Sequence, residues 1–193
     1  QASDVYKRQI FSFGDTARES YERMISLVSR AENYLEGLDA WTIETRPVDF
    51  PAFDPLSAAT LRHSVSKAAG FPLVMQTSRT PEALAWCSRS DLARISQQGP
   101  ATPDHVIRTK RLPMLGRDVA AYAADYRRYF KRNAARKKDL AMLDPAPRLV
   151  LDASTGMCAL GRSAKEARTV LDLYEHTMDV IDLSLIHISE PTR

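Results

Sequence analysis

Apolar residues recur at helical spacing in two long stretches, one near each end of the chain. In the first stretch, residues 17–38, apolar positions follow at alternating intervals of four and three, and Thr16 with Glu19 forms a capping box. In the second stretch, Ser163 and Glu166 form the same box before another amphipathic segment. Both stretches are therefore predicted to be long helices, each with one apolar face.

Proline and glycine mark the boundaries of the other predicted helices. Proline suits the first helical position, and at three places it follows a residue that caps helices well. The three caps are Asp54, Thr80 and Thr102. The helix after Asp54 is predicted to end at Gly70, and further helices are predicted at about 91–97 and 118–138. The segment 39–54, which contains two prolines and several aromatics, is interpreted as an ordered connector.

Short apolar segments between these helices predict strands. They lie at residues 10–14, 73–76, 148–152 and 156–161. Because strands alternate with helices, we expect an α/β fold with a mixed sheet and flanking helices.

The two capped helices are preceded by similar sequences. Gly14 and Gly161 are each followed by a hydroxyl cap, an alanine, a basic residue and a glutamate in the same order. This echo indicates a duplicated half-domain, or it reflects the local physics of any strand, glycine and capped helix.

The two ends of the chain can be encoded by opposite strands of one DNA segment. A codon choice for residues 4–9 has a reverse complement that encodes residues 183–188. That DNA matches the mosaic end of a transposon-based sequencing adapter. We therefore expect residues 1–9 and 183–193 to be adapter-derived, with the natural protein at 10–182 cut from a longer reading frame.

Charge and hydropathy exclude several function classes. The net charge is +3 and falls to +2 without the adapter residues Asp4, Lys7, Arg8, Glu190 and Arg193. This small charge gives no case for nucleic acid or anionic lipid, and the basic run at 127–138 is interpreted as a solvated helix face. No apolar run approaches the ~20 residues that span a bilayer.

Cysteine usage indicates a reducing compartment. The chain has two cysteines, Cys87 and Cys158, far apart and without metal-ligand spacing. We interpret them as free thiols of a cytoplasmic protein. Among the histidines outside the adapter, His63 and His176 are interpreted as structural or solvated.

The best candidate site is the group Asp104, His105, Arg108 and Lys110. If a helical turn begins at Pro103, Asp104 and Arg108 share a face, and the free amides with Arg108 and Lys110 could receive a phosphate or carboxylate. His105 is the candidate catalytic residue. The alternative is an ordinary capped turn with a surface ion pair.

Two parts of the sequence resemble known enzymes. Residues 10–17, 20–22 and 31–35 resemble the end of a class II aldolase/adducin domain, in which a His-Gly pair carrying a zinc ligand would precede residue 10. Residues 101–113, 146–151 and 156–161 resemble the bifunctional rhamnulose-1-phosphate aldolase/short-chain dehydrogenases.

The resemblance implies three segments inside a longer enzyme. Residues 10–38 would end the aldolase domain, 39–54 would connect, and 55–182 would form an aldolase-like middle domain that links to a dehydrogenase. The parent would be a homo-oligomer that uses zinc and NAD(P) to cleave rhamnulose 1-phosphate and oxidise the resulting lactaldehyde.

The sequence also departs from the family. It contains no H-x-H pair and no G-x-G-x-x-G, so we expect no metal or cofactor bound to this segment and no activity of it alone. The alternative is a non-catalytic α/β domain that binds, docks or spaces two enzymes.

Overall fold

The computed structural model describes residues 11–38, 40, 52–134 and 140–189. They belong to two units, Gln1–Glu44 and Thr45–Arg193. The predicted connector at 39–54 lies largely outside the described residues. Residues 183–189, for which the sequence predicts an adapter origin, continue the last helix and are given no functional meaning.

The first unit contains one long helix, α1 (Ala17–Gly37). The Thr16 hydroxyl accepts a hydrogen bond from the Glu19 amide at 3.1 Å, and the Glu19 carboxylate accepts one from the Asp15 amide at 3.0 Å. The predicted helix start is therefore confirmed. The strand predicted at 10–14 is wrong for its described residues, 11–14, because a strand needs a hydrogen-bonded partner and none pairs with them in the described part of the chain.

The second unit contains a four-stranded mixed sheet. Its strands are β1 (Val74–Ser78), β2 (Met114–Leu115), β3 (Leu149–Asp152) and β4 (Gly156–Gly161). They lie in the order β1-β4-β3-β2, in which β4 runs antiparallel to both neighbours and β2 runs parallel to β3. This confirms the expected α/β fold with a mixed sheet.

Helices flank the sheet in the order that the proline and hydroxyl signals predict. They are α2 (Pro55–Ala69), α3 (Pro81–Cys87), α4 (Leu92–Ile95), α5 (Val106–Thr109), α6 (Val119–Ala134) and α7 (Ala164–Ser189). The helix predicted at 91–97 divides into α4 and a 3-10 turn, and the start at Thr102 produces a 3-10 turn, Pro103–His105, before α5. The last residues of the predicted helix 118–138 lie outside the described ranges.

The central strand β4 is buried on both faces and separates two cores. Met157 and Ala159 belong to the core that contains residues of α3 and α7. Cys158 and Leu160 belong to the core that contains residues of α2 and α6. Alternation along one strand thus produces three layers, helix, sheet and helix.

The echo noted in the sequence is also a structural one. At the second copy, the Glu166 amide donates to the Ser163 hydroxyl at 3.2 Å, and the Glu166 carboxylate accepts from the Arg162 amide at 2.8 Å. A Cβ at Gly161 would lie 2.5 Å from the Glu166 Cβ, and one at Gly14 would lie 2.9 Å from the Glu19 Cβ. Each glycine is thus required because the capping glutamate covers it.

Candidate functional site

The four residues of the candidate site differ in their exposure to solvent. Asp104 and Arg108 are exposed, His105 is half-buried, and Lys110 is only 5% exposed. Among the described side chains, Asp104 and Arg108 form no ion pair with each other, and the Lys110 side chain forms its contacts with Asp144 and Tyr126. The anion-binding and catalytic roles of these residues stay predictions.

Lys110 is the most unusual residue of this group. Its backbone φ is +60°, which a residue with a side chain adopts rarely, and its Nζ donates to the Asp144 carbonyl oxygen. The same Nζ lies 3.6 Å from the Asp144 carboxylate and 4.2 Å from the centre of the Tyr126 ring. Burial lowers the pKa of Lys110 to about 8, although the charge of Asp144 opposes the shift.

Asp144 joins two cations from different parts of the chain. Lys110 precedes Asp144 by 34 residues. Arg148 follows Asp144 by four residues and donates to its two carboxylate oxygens at 3.0 and 2.5 Å. Burial opposes ionisation of Asp144, but the hydrogen bonds from Arg148 and the charge of Lys110 outweigh it and lower the pKa of this carboxyl. The buried ionic cluster of Lys110, Asp144 and Arg148 therefore fixes the segment that enters β3.

His105 lies beside a second histidine that the sequence places far away. The ring centres of His105 and His176 are 6.4 Å apart, and the His105 Nδ1 is buried without a hydrogen-bond partner in the described residues. A catalytic zinc needs three protein ligands. The described residues contain no group of three or more His, Cys, Asp or Glu side chains that could hold a metal, so they do not fit a zinc site.

A second polar cluster, which the sequence analysis missed, lies where β2 and β3 end. Arg117 donates to both carboxylate oxygens of Asp152, each at 3.2 Å. It also donates to the hydroxyls of Ser154, at 3.0 Å, and of Thr155 and Ser57. The Asp152 carboxylate accepts from the amides of Ser154 and Thr155 as well, at 3.2 and 2.8 Å.

These hydrogen bonds hold residues 152–156 in the hairpin turn that joins β3 to β4. Burial opposes ionisation of Asp152, but the hydrogen bonds from Arg117 and from the hydroxyls lower the pKa of this carboxyl far below its usual range. The polar groups of this turn are thus satisfied by one another. The role of Arg117 cannot be predicted from the neighbouring sequence. The strand before it, β2, is only two residues long, and Asp152, the partner of Arg117, lies 35 positions away.

The cysteines are unsuited to nucleophilic chemistry. Both are buried, and burial raises the pKa of Cys87 to about 12 and that of Cys158 to about 11. Since the thiolate is the nucleophile and the metal ligand, both thiols stay protonated and unreactive near neutral pH.

Within the described residues, no helix is both long enough and apolar enough to cross a bilayer.

Comparison with known proteins points to one family. A family model described as "aldolase class II, second domain" matches residues 53–184. The chain is also similar to YuxG, an uncharacterized oxidoreductase of Bacillus subtilis (strain 168), with 22% identity over 204 residues that cover 91% of this chain and 28% of that protein. The chain thus spans less than a third of this relative. No solved structure shows significant similarity to this chain.

Proposed function

The chain belongs to the family of class II aldolase second domains, and from this premise we propose that it is part of a longer bifunctional enzyme. In that enzyme an aldolase domain precedes the second domain and a short-chain dehydrogenase follows it. The observation that carries the proposal is the family match over residues 53–184. The name of the relative, an oxidoreductase of greater length, supports the dehydrogenase part.

The proposed reactions are an aldol cleavage and an oxidation. Cleavage of rhamnulose 1-phosphate yields dihydroxyacetone phosphate and lactaldehyde. Water then adds to the aldehyde carbon, NAD(P)⁺ accepts a hydride from the hydrate, and lactate forms with release of two protons. Zinc and the nicotinamide cofactor would be bound outside the described residues, because these do not fit a zinc site and the sequence has no G-x-G-x-x-G. We further propose that the enzyme is cytoplasmic, since free cysteines suit a reducing compartment. From the resemblance alone, we propose that it is a homo-oligomer.

Within this enzyme, we assign the second domain a connecting role. In its two ionic clusters, around Asp144 and around Asp152, the charged side chains pair with each other. Paired groups of this kind stabilise a fold and are not free to polarise a substrate. The domain therefore holds two enzymes in one polypeptide without supplying their reacting groups.

The uninterrupted gene tests the proposal of a bifunctional enzyme. Sequencing outward should reveal a His-Gly pair and an H-x-H upstream of Ile10, and a strand with a glycine-rich fingerprint downstream of Asp182. The expressed protein should form dihydroxyacetone phosphate from rhamnulose 1-phosphate and reduce NAD(P)⁺. Flanks that lack both sets of motifs would show that this proposal is wrong.

Substitution of His105 separates a connecting domain from a catalytic one. If the domain only connects, His105→Ala in the full-length enzyme should leave both rates within about twofold of wild type. The control is His63→Ala, which changes an exposed histidine on α2. A loss of tenfold or more in aldol cleavage with His105→Ala alone would favour the catalytic role that the sequence suggests.

A further inference from the structure

A groove lies between α2 and α6, in the layer that covers one face of the sheet. Its volume is about 520 Å³. Small apolar side chains of Ala68, Val119 and Ala123 line it, so the two helices leave room above their shared core. The rim is polar and includes Lys67 of α2 and Arg127 of α6, both exposed.

The charges at this groove are predominantly positive. Lys67, Arg117 and Arg127 line it together with one carboxylate, Asp118. An oxygen of Asp118 is engaged at the start of α6, where it accepts from the Ala121 amide at 2.8 Å. This carboxylate therefore acts as a helix cap, and its negative charge lies at one end of the groove.

Two of the three cations are available to a ligand. Arg117 is already neutralised by Asp152. Lys67 and Arg127 have no carboxylate partner among the described residues, and they extend from the two opposite helices. About nine residues separate Asp118 from Arg127, which corresponds to roughly 13 Å of helix. An anionic group beside Arg127 would thus lie far from the only carboxylate of the lining.

We propose that this groove binds a phosphate monoester of a short polyol, with Lys67 and Arg127 contacting the phosphate. The ligand class rests on the proposed function, in which both the ketose 1-phosphate and the triose phosphate carry this group. Charge-assisted contacts from these two exposed cations supply the affinity. Binding therefore weakens as ionic strength rises.

Calorimetric titration of the full chain tests the proposal. The probes are dihydroxyacetone phosphate, rhamnulose 1-phosphate, inorganic phosphate and unphosphorylated rhamnulose. Both phosphate esters should bind saturably, and Lys67→Ala and Arg127→Ala should each weaken binding by roughly tenfold or more. Lys131→Ala is the matched control, because it removes an exposed cation of α6 that does not line the groove. Far-UV circular dichroism checks that each variant is folded.

The outcomes distinguish this proposal from the proposed function. Absence of saturable ester binding, equal weakening by Lys131→Ala, or equally tight binding of inorganic phosphate would each overturn the groove as a polyol-phosphate site. Ester binding that depends on Lys67 and Arg127, in a full-length protein without aldolase activity, would support the groove and overturn the reaction. Full aldolase activity without ester binding here would do the reverse.

Discussion

At the scale of single residues, two carboxylates hold together parts of the chain that are distant in sequence. Asp144 pairs with Lys110, and Asp152 pairs with Arg117, each across more than 30 positions. Sequence patterns cannot predict such pairs, because they report neighbours on one helix or strand. The burial of Lys110 is still less predictable, since lysine is almost never fully buried.

The lowered pKa of Lys110 predicts an unusual pH dependence of stability. The pKa of Lys110 is about 8 in the fold and 10.5 in the unfolded chain, so between these values this side chain binds more protons in the unfolded state, and its contribution to stability rises with pH. From pH 8 to 9.5 this effect amounts to at most about 2 kcal/mol. The buried thiols of Cys87 and Cys158 contribute the opposite dependence in this range, because their raised pKa values keep them protonated in the fold. The contribution of Lys110 is therefore measured as a difference: the free energy of urea unfolding of the wild type minus that of Lys110→Met should rise with pH, whereas the same difference for the exposed control Lys131→Met should stay constant. An unchanged slope in Lys110→Met would contradict the assignment.

Asp152 has the opposite dependence. Its folded pKa is lowered, so its contribution is present above the ordinary carboxyl pKa and is lost as pH falls below about 4. Asp152→Asn should destabilise the protein by about 2–3 kcal/mol at pH 7, because Arg117 then loses its partner, and by much less at pH 2–3. Urea unfolding at both pH values measures the difference. Asp172→Asn, at an exposed position of α7, should change neither value.

At the scale of elements, the helix starts were the most predictable features. Asp54, Thr80 and Ser163 each accept a hydrogen bond from the first turn of the helix that the sequence places after them. Capping depends on residues within one turn, so it can be predicted locally. Strands depend on partners elsewhere. The two-residue β2 was therefore missed, and residues 11–14 were wrongly predicted as part of a strand.

The junction of β4 and α7 should tolerate no side chain at Gly161. A Cβ there would lie 2.5 Å from the Glu166 Cβ and 2.6 Å from the Ala167 backbone nitrogen. Gly161→Ala should therefore cost about 2–3 kcal/mol through displacement of the helix start. Gly37→Ala is the control, because nothing lies within 4 Å of its Cβ position. Equal melting temperatures for the two variants would contradict the close packing.

At the scale of the whole molecule, the two buried cysteines lie in the cores on opposite faces of the sheet, so their reactivity measures the unfolding of each core. Cys87 belongs to the core with α7, and Cys158 belongs to the core with α2 and α6. Neither should react with iodoacetamide at pH 8 in the native state. If the second unit unfolds as one body, both should become labelled at the same denaturant concentration, as measured by mass spectrometry of the two peptides. Earlier labelling of one cysteine would show that the two layers open separately.

The fold class could be predicted from the sequence, but the order of the strands in the sheet could not. Alternation of helices and strands was enough to predict a mixed sheet between helices. It was not enough to predict the order β1-β4-β3-β2, because the pairing of β1 with β4 joins residues about 80 positions apart, such as Thr77 and Cys158. The groove between α2 and α6 likewise depends on how two distant helices meet on the sheet.

The position of β4 has a consequence for how the protein is made. This strand is the last of the four to be synthesised, yet it separates β1 from β3 in the finished sheet. While the ribosome is still upstream of Gly156, β1 has no neighbour in the described sheet, and its edge is open to other chains. Folding of this unit is therefore a late event on the nascent chain, dominated by contacts of high sequence separation and correspondingly slow. A polypeptide released before β4 emerges would be a substrate for chaperones or aggregation.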